Sequence, residues 1–159
     1  MQASSSANSP YGTKTDGNSG IIALGKGWAY YMGSHLTDQR YGSLCGEVGE
    51  NQSKYRNNSP LLNLSSQLNA LEGFNPSLTI DPFYWIPQGL FYDLKDTRNE
   101  TILTGGSVDD AVSNYSNSQM FNAFGSSITT LQGYRNNLLL LNSNNQATQI
   151  NTLLSSYGY

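Results

Sequence analysis

The sequence predicts a mainly α fold: five or six helices in one irregular helical subdomain, with little or no β-strand. Apolar residues recur at the 3–4 spacing of a helix face in most of the periodic segments. Several of those segments open on helix-start chemistry, either Ser-Pro or a Ser followed three residues later by Gln. The 159 residues suffice for one domain with a real core, and no repeat of solenoid period divides them.

Residues 1–19 are rich in Ser, Asn, Gly and Thr and read as a disordered or loosely docked lead-in, leaving 20–159 as the helical subdomain. The first helix is expected over Gly20–Leu36, capped by Asn18 or Ser19 and ending near Thr37–Gly42. Its apolar positions include Ile21, Leu24, Trp28 and Tyr31. Residues 43–59 read as a loop. Ser59-Pro60 then opens a second helix carrying Leu61, Leu64, Leu68 and Leu71 on one face, and Gly73 stops it. Pro76 and Pro82 hold the stretch 74–86 extended or turned, through the aromatic run Phe83-Tyr84-Trp85-Ile86. Pro87 starts a short helix, Gln88–Lys95, with Leu90, Phe91 and Leu94; a loop over 96–110 follows.

The last third reads as helical. Ser116 and Gln119 have capping-box spacing. Met120, Phe121, Phe124, Ile128 and Leu131 follow as one stripe, which Tyr134, Leu138 and Leu141 continue past a kink at Gly133. Ser143 and Gln146 repeat the capping-box spacing ahead of a terminal helix with Ala147, Ile150, Leu153, Leu154 and Tyr157.

Composition narrows the function classes. Only 12% of the residues are charged, about half the usual quarter. Eighteen Asn and 21 Ser supply the polarity instead. A net charge of −3 gives no electrostatic footprint for nucleic acid or an anionic membrane surface. The longest aliphatic run, Leu138–Leu141, is far too short for a membrane span, so neither nucleic acid nor membrane is an expected partner. Met1 is followed by polar and small residues, unlike an export signal. Cys45 is the single cysteine, so the chain forms no internal disulfide. It contains no H-E-x-x-H, no cysteine cluster, no G-x-S-x-G and no glycine-rich phosphate loop. A hydrolytic site assembled in space from Asp or Ser is the least favoured function class.

Lys26 is the one charge from Ile21 through Leu36. At about 100° per residue with Lys26 at zero, Ile22 falls near −40°, Ala29 near −60°, Tyr30 near +40° and Gly33 near −20°. Leu24, Trp28, Tyr31 and His35 fall on the far side, about 140–200° away. Both faces are apolar or small, which predicts a helix buried all round. Lys26 then marks either the place where the helix reaches the surface or a position in a polar site. His35, the sole histidine, cannot share that site and reads as a core or rim residue. Asp93, Asp96, Asn99 and Glu100 could present oxygens to Ca²⁺, but Lys95 and Arg98 interleave and no loop template matches; a solvated helix end with a structural Asp93 is preferred. The run Phe83–Ile86 reads as core, or as an apolar patch if a partner once covered it.

Gly20–Tyr41 resembles the third-ligand helix of bacterial secreted zinc metalloproteases of the gluzincin type. Gly27-Trp28-Ala29 matches the motif that follows the ligand Glu in such helices, and Lys26 stands at the Glu position. Gly89–Asp96 is similar to a segment that follows the helix in those proteins, and Gln119–Tyr159, ending Tyr-Gly-Tyr, to their closing helices. The resemblance covers roughly residues 10–159, as the C-terminal half of a catalytic domain. It implies a secreted or cell-surface location, a zinc cofactor in the intact family, and a site lined by Ile22, Lys26, Ala29, Tyr30 and Gly33, with Trp28 and Asp93 as structural support.

The departures matter more than the match. The half that carries both His ligands and the general base has no counterpart here, and an ammonium at position 26 has no lone pair for a metal. No catalytic residue, metal ligand or cofactor is therefore expected of this chain alone. The expected function is a non-catalytic C-terminal subdomain or fragment of a zinc metallopeptidase-like protein. Its expected partner is the missing N-terminal half-domain or a second copy of itself. The alternative is a standalone secreted helical binding or structural module without enzymatic activity.

Overall fold

The structure is a computed structural model, and it describes residues 11–41, 85–95, 97 and 111–159. Among these it is helical, with five helices and no strand, in keeping with the mainly α class. They are α1 (Ser19–Tyr41), α2 (Leu90–Asp93), α3 (Asn117–Asn122), α4 (Leu131–Leu141) and α5 (Ala147–Ser156). The second helix expected over Pro60–Leu71, the loops at 43–59 and 98–110, and Phe83-Tyr84 lie outside the described residues.

Helix α1 begins where the sequence places it: the Ile22 amide donates to the Asn18 carbonyl at 3.1 Å. It runs to Tyr41, and it packs on α2 and α4. Gly20 sits so close to the chain before α4 that a Cβ there would lie 2.3 Å from the Thr129 carbonyl oxygen. The expectation that α1 is buried all round is not met. Ala23, Leu24, Gly27 and Tyr31 are buried, whereas Ile21, Gly25, Ala29, Tyr30, Gly33 and Leu36 are exposed. Only the first arc finds apolar partners. Much of the outward arc is Gly and Ala, which expose little apolar area and cost little to leave in water.

Trp85, Ile86 and Pro87 enter the core ahead of α2, whose turn is anchored by Leu90 N–H to the Pro87 carbonyl at 3.3 Å. The chain returns beside it: Tyr115 N–H donates to the Leu94 carbonyl at 2.9 Å and Asn114 N–H to that of Lys95 at 3.1 Å. The Ser116–Gln119 capping box forms in full, closing the first turn of α3 in both directions.

The stripe from Met120 to Leu141 is not one helix bent at Gly133. It breaks between Asn122 and Leu131, and Gly133 lies in the first turn of α4, where its amide donates to the Thr130 hydroxyl at 2.9 Å. The break has two causes. Gly125-Ser126-Ser127 are poor helix formers and Thr130 is a good cap. In addition, Tyr134 and Asn137, three apart on α4, donate to the Met120 and Ala123 carbonyls at 3.0 and 2.9 Å. Those bonds satisfy acceptors that a helix end leaves open.

The second capping box does not form. Ser143, Asn144 and Gln146 all adopt left-handed φ near +56° to +59°. The Gln146 amide instead clamps the backbone of Ser113, accepting from its N–H at 2.9 Å and donating to its carbonyl at 2.7 Å. Helix α5 ends in a Schellman motif at Tyr157-Gly158-Tyr159: Tyr159 N–H reaches the Leu154 carbonyl at 2.8 Å and Gly158 N–H that of Ser155 at 2.9 Å. Gly158 has φ +78°, a value that favours glycine at this position.

Tyrosines tie these elements together. Tyr31, Tyr115, Tyr134, Tyr157 and Tyr159 bury most of their rings and donate their hydroxyls to acceptors 14 to 86 residues away. Burial pushes the Tyr31 phenol up to about 12 and raises those of Tyr115, Tyr134 and Tyr159 as well. These four hydroxyls thus stay protonated donors.

Candidate functional site

Ile22, Lys26, Ala29, Tyr30 and Gly33 fall along one side of α1, as 100° per residue requires. Ile22 is half-buried against the core, while Ala29, Tyr30 and Gly33 are exposed, Tyr30 at 44%. Lys26 is half-buried, its ammonium 4.3 Å from the centroid of the Tyr11 ring. That cation–π contact holds the half-buried ammonium against an aromatic face. The segment holding Tyr11 is fixed in turn. Asp16 accepts from the Thr13 amide and hydroxyl at 2.7 and 3.0 Å, and Lys14 reaches the Gly158 carbonyl and the Tyr159 ring. Burial lowers the Lys14 pKa.

The opposite face of α1 is built of aromatics. Trp28 stands edge-on to Phe91 at 5.1 Å and to Phe124 at 5.4 Å, and lies 5.5 Å from Tyr31. Gly27 admits this packing: a Cβ there would come within 3.0 Å of the Pro87 carbonyl oxygen and 3.2 Å of the Phe91 ring. The Gly27-Trp28 pair thus has a packing reason in this chain. Asp93 is fully buried at the end of α2, and its Oδ2 accepts from the Tyr157 hydroxyl at 2.7 Å. Asp96, Asn99 and Glu100, the other oxygens considered for Ca²⁺, lie outside the described residues.

His35 is half-buried on this second face, its ring parallel to that of Tyr31 at 5.6 Å. Asn117, the first residue of α3, links it to other groups. Asn117 Oδ1 accepts from the Tyr31 hydroxyl at 2.5 Å and from Lys95 Nζ at 3.1 Å. Its Nδ2 therefore donates to His35 Nε2 at 2.8 Å, which places the imidazole proton on Nδ1. The sequence contained no sign of this network. Asn117 stands out in no local pattern, and its partners lie 22 to 86 positions away.

The two faces decide what α1 can hold. Lys26 donates and cannot ligate a metal, and His35 lies about 180° around the helix with its Nε2 occupied. The described residues thus do not fit a catalytic zinc. No group of three His, Cys, Asp or Glu side chains gathers among the described residues. No described helix is long and apolar enough to cross a membrane. Compared with protein-family models, curated proteins and solved structures, the chain matches none.

Proposed function

We propose that the chain is a non-catalytic C-terminal subdomain of a secreted zinc metallopeptidase-like protein, and that an upstream half-domain covers the outer face of α1. The observation that carries this reading is the exposure of Ile21, Ala29, Tyr30, Gly33 and Leu36 on a helix with one formal charge between Ile21 and Leu36. A partly apolar outward face with Lys26 as its one charge is what a removed partner leaves behind. The Lys at the position of the third ligand supports the non-catalytic part, since one ligand of the three a catalytic zinc needs is replaced by a cation.

The test joins the Lys26→Glu chain to the coding sequence upstream of it and measures zinc content and peptide hydrolysis. The expected result is an in-frame H-E-x-x-H upstream, stoichiometric zinc in the joined Lys26→Glu protein, and neither zinc nor hydrolysis in the chain alone. Tight stoichiometric zinc or peptide cleavage by the chain alone would overturn the proposal, as would an upstream region without the motif.

A second reading, a standalone helical binding module, draws on a different observation. The inner face of α1 joins the other four helices in one contiguous core that includes Tyr31, Phe91, Leu138 and Leu153. Under that reading the chain is a cooperatively unfolding monomer, and Ile21→Ser with Leu36→Ser leaves its association state unchanged.

A further inference from the structure

His35 is the chain's one histidine, and its Nε2 lies 2.8 Å from Nδ2 of Asn117, the first residue of α3. The Asn117 amide is held in this orientation. Its Oδ1 accepts from Lys95 Nζ at 3.1 Å and from the Tyr31 hydroxyl. A lysine ammonium only donates, so a flipped amide would set its NH₂ against Lys95. Nδ2 therefore faces His35, and the imidazole can accept there only while it is neutral.

A proton on His35 removes that acceptor. Both ring nitrogens of an imidazolium donate, so N–H would meet N–H at Asn117. Lys95 and Tyr31 already hold the two lone pairs of the amide oxygen, which leaves the new donor none. The Lys95 ammonium, bonded to the same amide, adds like-charge repulsion. The titratable rings around His35 among the described residues are Tyr31, parallel to it at 5.6 Å, and Tyr92, edge-on to Tyr31 at 4.8 Å. Burial raises the Tyr31 phenol to about 12, so it carries no charge in the range where histidine titrates. Asp38 and Arg40 follow His35 in the sequence of α1. Attraction to Asp38 would act in the opposite direction, favouring the imidazolium.

We propose that His35 and Asn117 form an acid-released latch between α1 and α3, closed while the imidazole is neutral and opened when it takes up a proton. The folded chain then binds that proton less readily than the unfolded chain. The stability from the latch is fully present above the ordinary histidine value of about 6.5 and is lost as pH falls below it.

NMR of the full chain tests this, because one histidine gives one ring signal to follow against pH. The midpoint should fall below about 6.5. Lys95→Met frees the amide to turn its oxygen toward the imidazolium and should raise the midpoint. Asn117→Asp offers a carboxylate to all three partners and should carry it above about 6.5. A parent midpoint at or above about 6.5, the signature of a dominant Asp38, overturns the proposal. So does a midpoint that both substitutions leave in place. Urea unfolding reads the release itself. Between about pH 7 and about pH 5 the parent should lose more stability than His35→Gln, whose side-chain oxygen can accept from Asn117 but takes up no proton. Equal losses in the two proteins would overturn the latch.

Discussion

Replacing Tyr157 with Phe removes one oxygen and leaves the ring in place. In the native chain that oxygen sits 2.7 Å from Asp93 Oδ2, between residues 1% and 0% exposed. No water reaches the carboxylate to replace the lost donor. Taking the donor from a buried carboxyl costs about 1–3 kcal/mol, whereas the Met120 carbonyl, which keeps the Ala123 N–H at 3.3 Å, loses only the ~0.5–1.5 kcal/mol of an ordinary bond. Tyr134→Phe is the matched comparison: an equally buried ring, whose hydroxyl donates to the neutral Met120 carbonyl at 3.0 Å. Urea unfolding should therefore show Tyr157→Phe destabilised by about 2 kcal/mol and Tyr134→Phe by about 1, both at unchanged m. For a chain of this size each kcal/mol lowers Tm by about 2–4 °C. A loss below about 0.5 kcal/mol in Tyr157→Phe, or one smaller than in Tyr134→Phe, would refute the argument that Asp93 depends on this donor.

Two glycines of α1 should respond in opposite directions. Gly25→Ala meets nothing within 4 Å and should gain about 0.5–1 kcal/mol of helix propensity; Gly20→Ala drives a Cβ into the Thr129–Thr130 backbone and should cost about 1–3 kcal/mol, both read from thermal melts. Thr130→Ala removes the hydroxyl that caps Gly133 and should cost about 1 kcal/mol in the same assay. Alkaline titration followed by phenolate absorbance should show Tyr31, Tyr115, Tyr134 and Tyr159 ionising above the ordinary phenol range. Since burial raises the folded pKa, the native state holds the proton more tightly. The stability from Tyr31 should then be fully present below pH 10 and lost as pH rises through about 12.

The sequence by itself determined the class of the fold and where α1, α3 and α5 begin. The Ser116–Gln119 box, the start of α1 at Asn18 and the terminal helix from Ala147 are local: each depends on residues within a turn of one another, so spacing alone reveals them. Tertiary structure decided the rest. Ser143 and Gln146 have the same spacing as the working box, yet Gln146 turns away to the Ser113 backbone, a partner no local pattern indicates. The apparent stripe from Met120 to Leu141 became two helices because Tyr134 and Asn137 reach back to cap the first. On α1 both faces are uncharged but for Lys26, and hydrophobic pattern could not choose between them. The choice fell to the side where Gly27 lets α2 approach and where Phe91 and Phe124 offer aromatic surface to Trp28. That choice left Lys26 under Tyr11 and set His35 against Asn117, contacts made by residues far apart in the chain. Burial and pairing across such distances depend on how the elements assemble, and a sequence of amides and hydroxyls with few charges carries little signal for it.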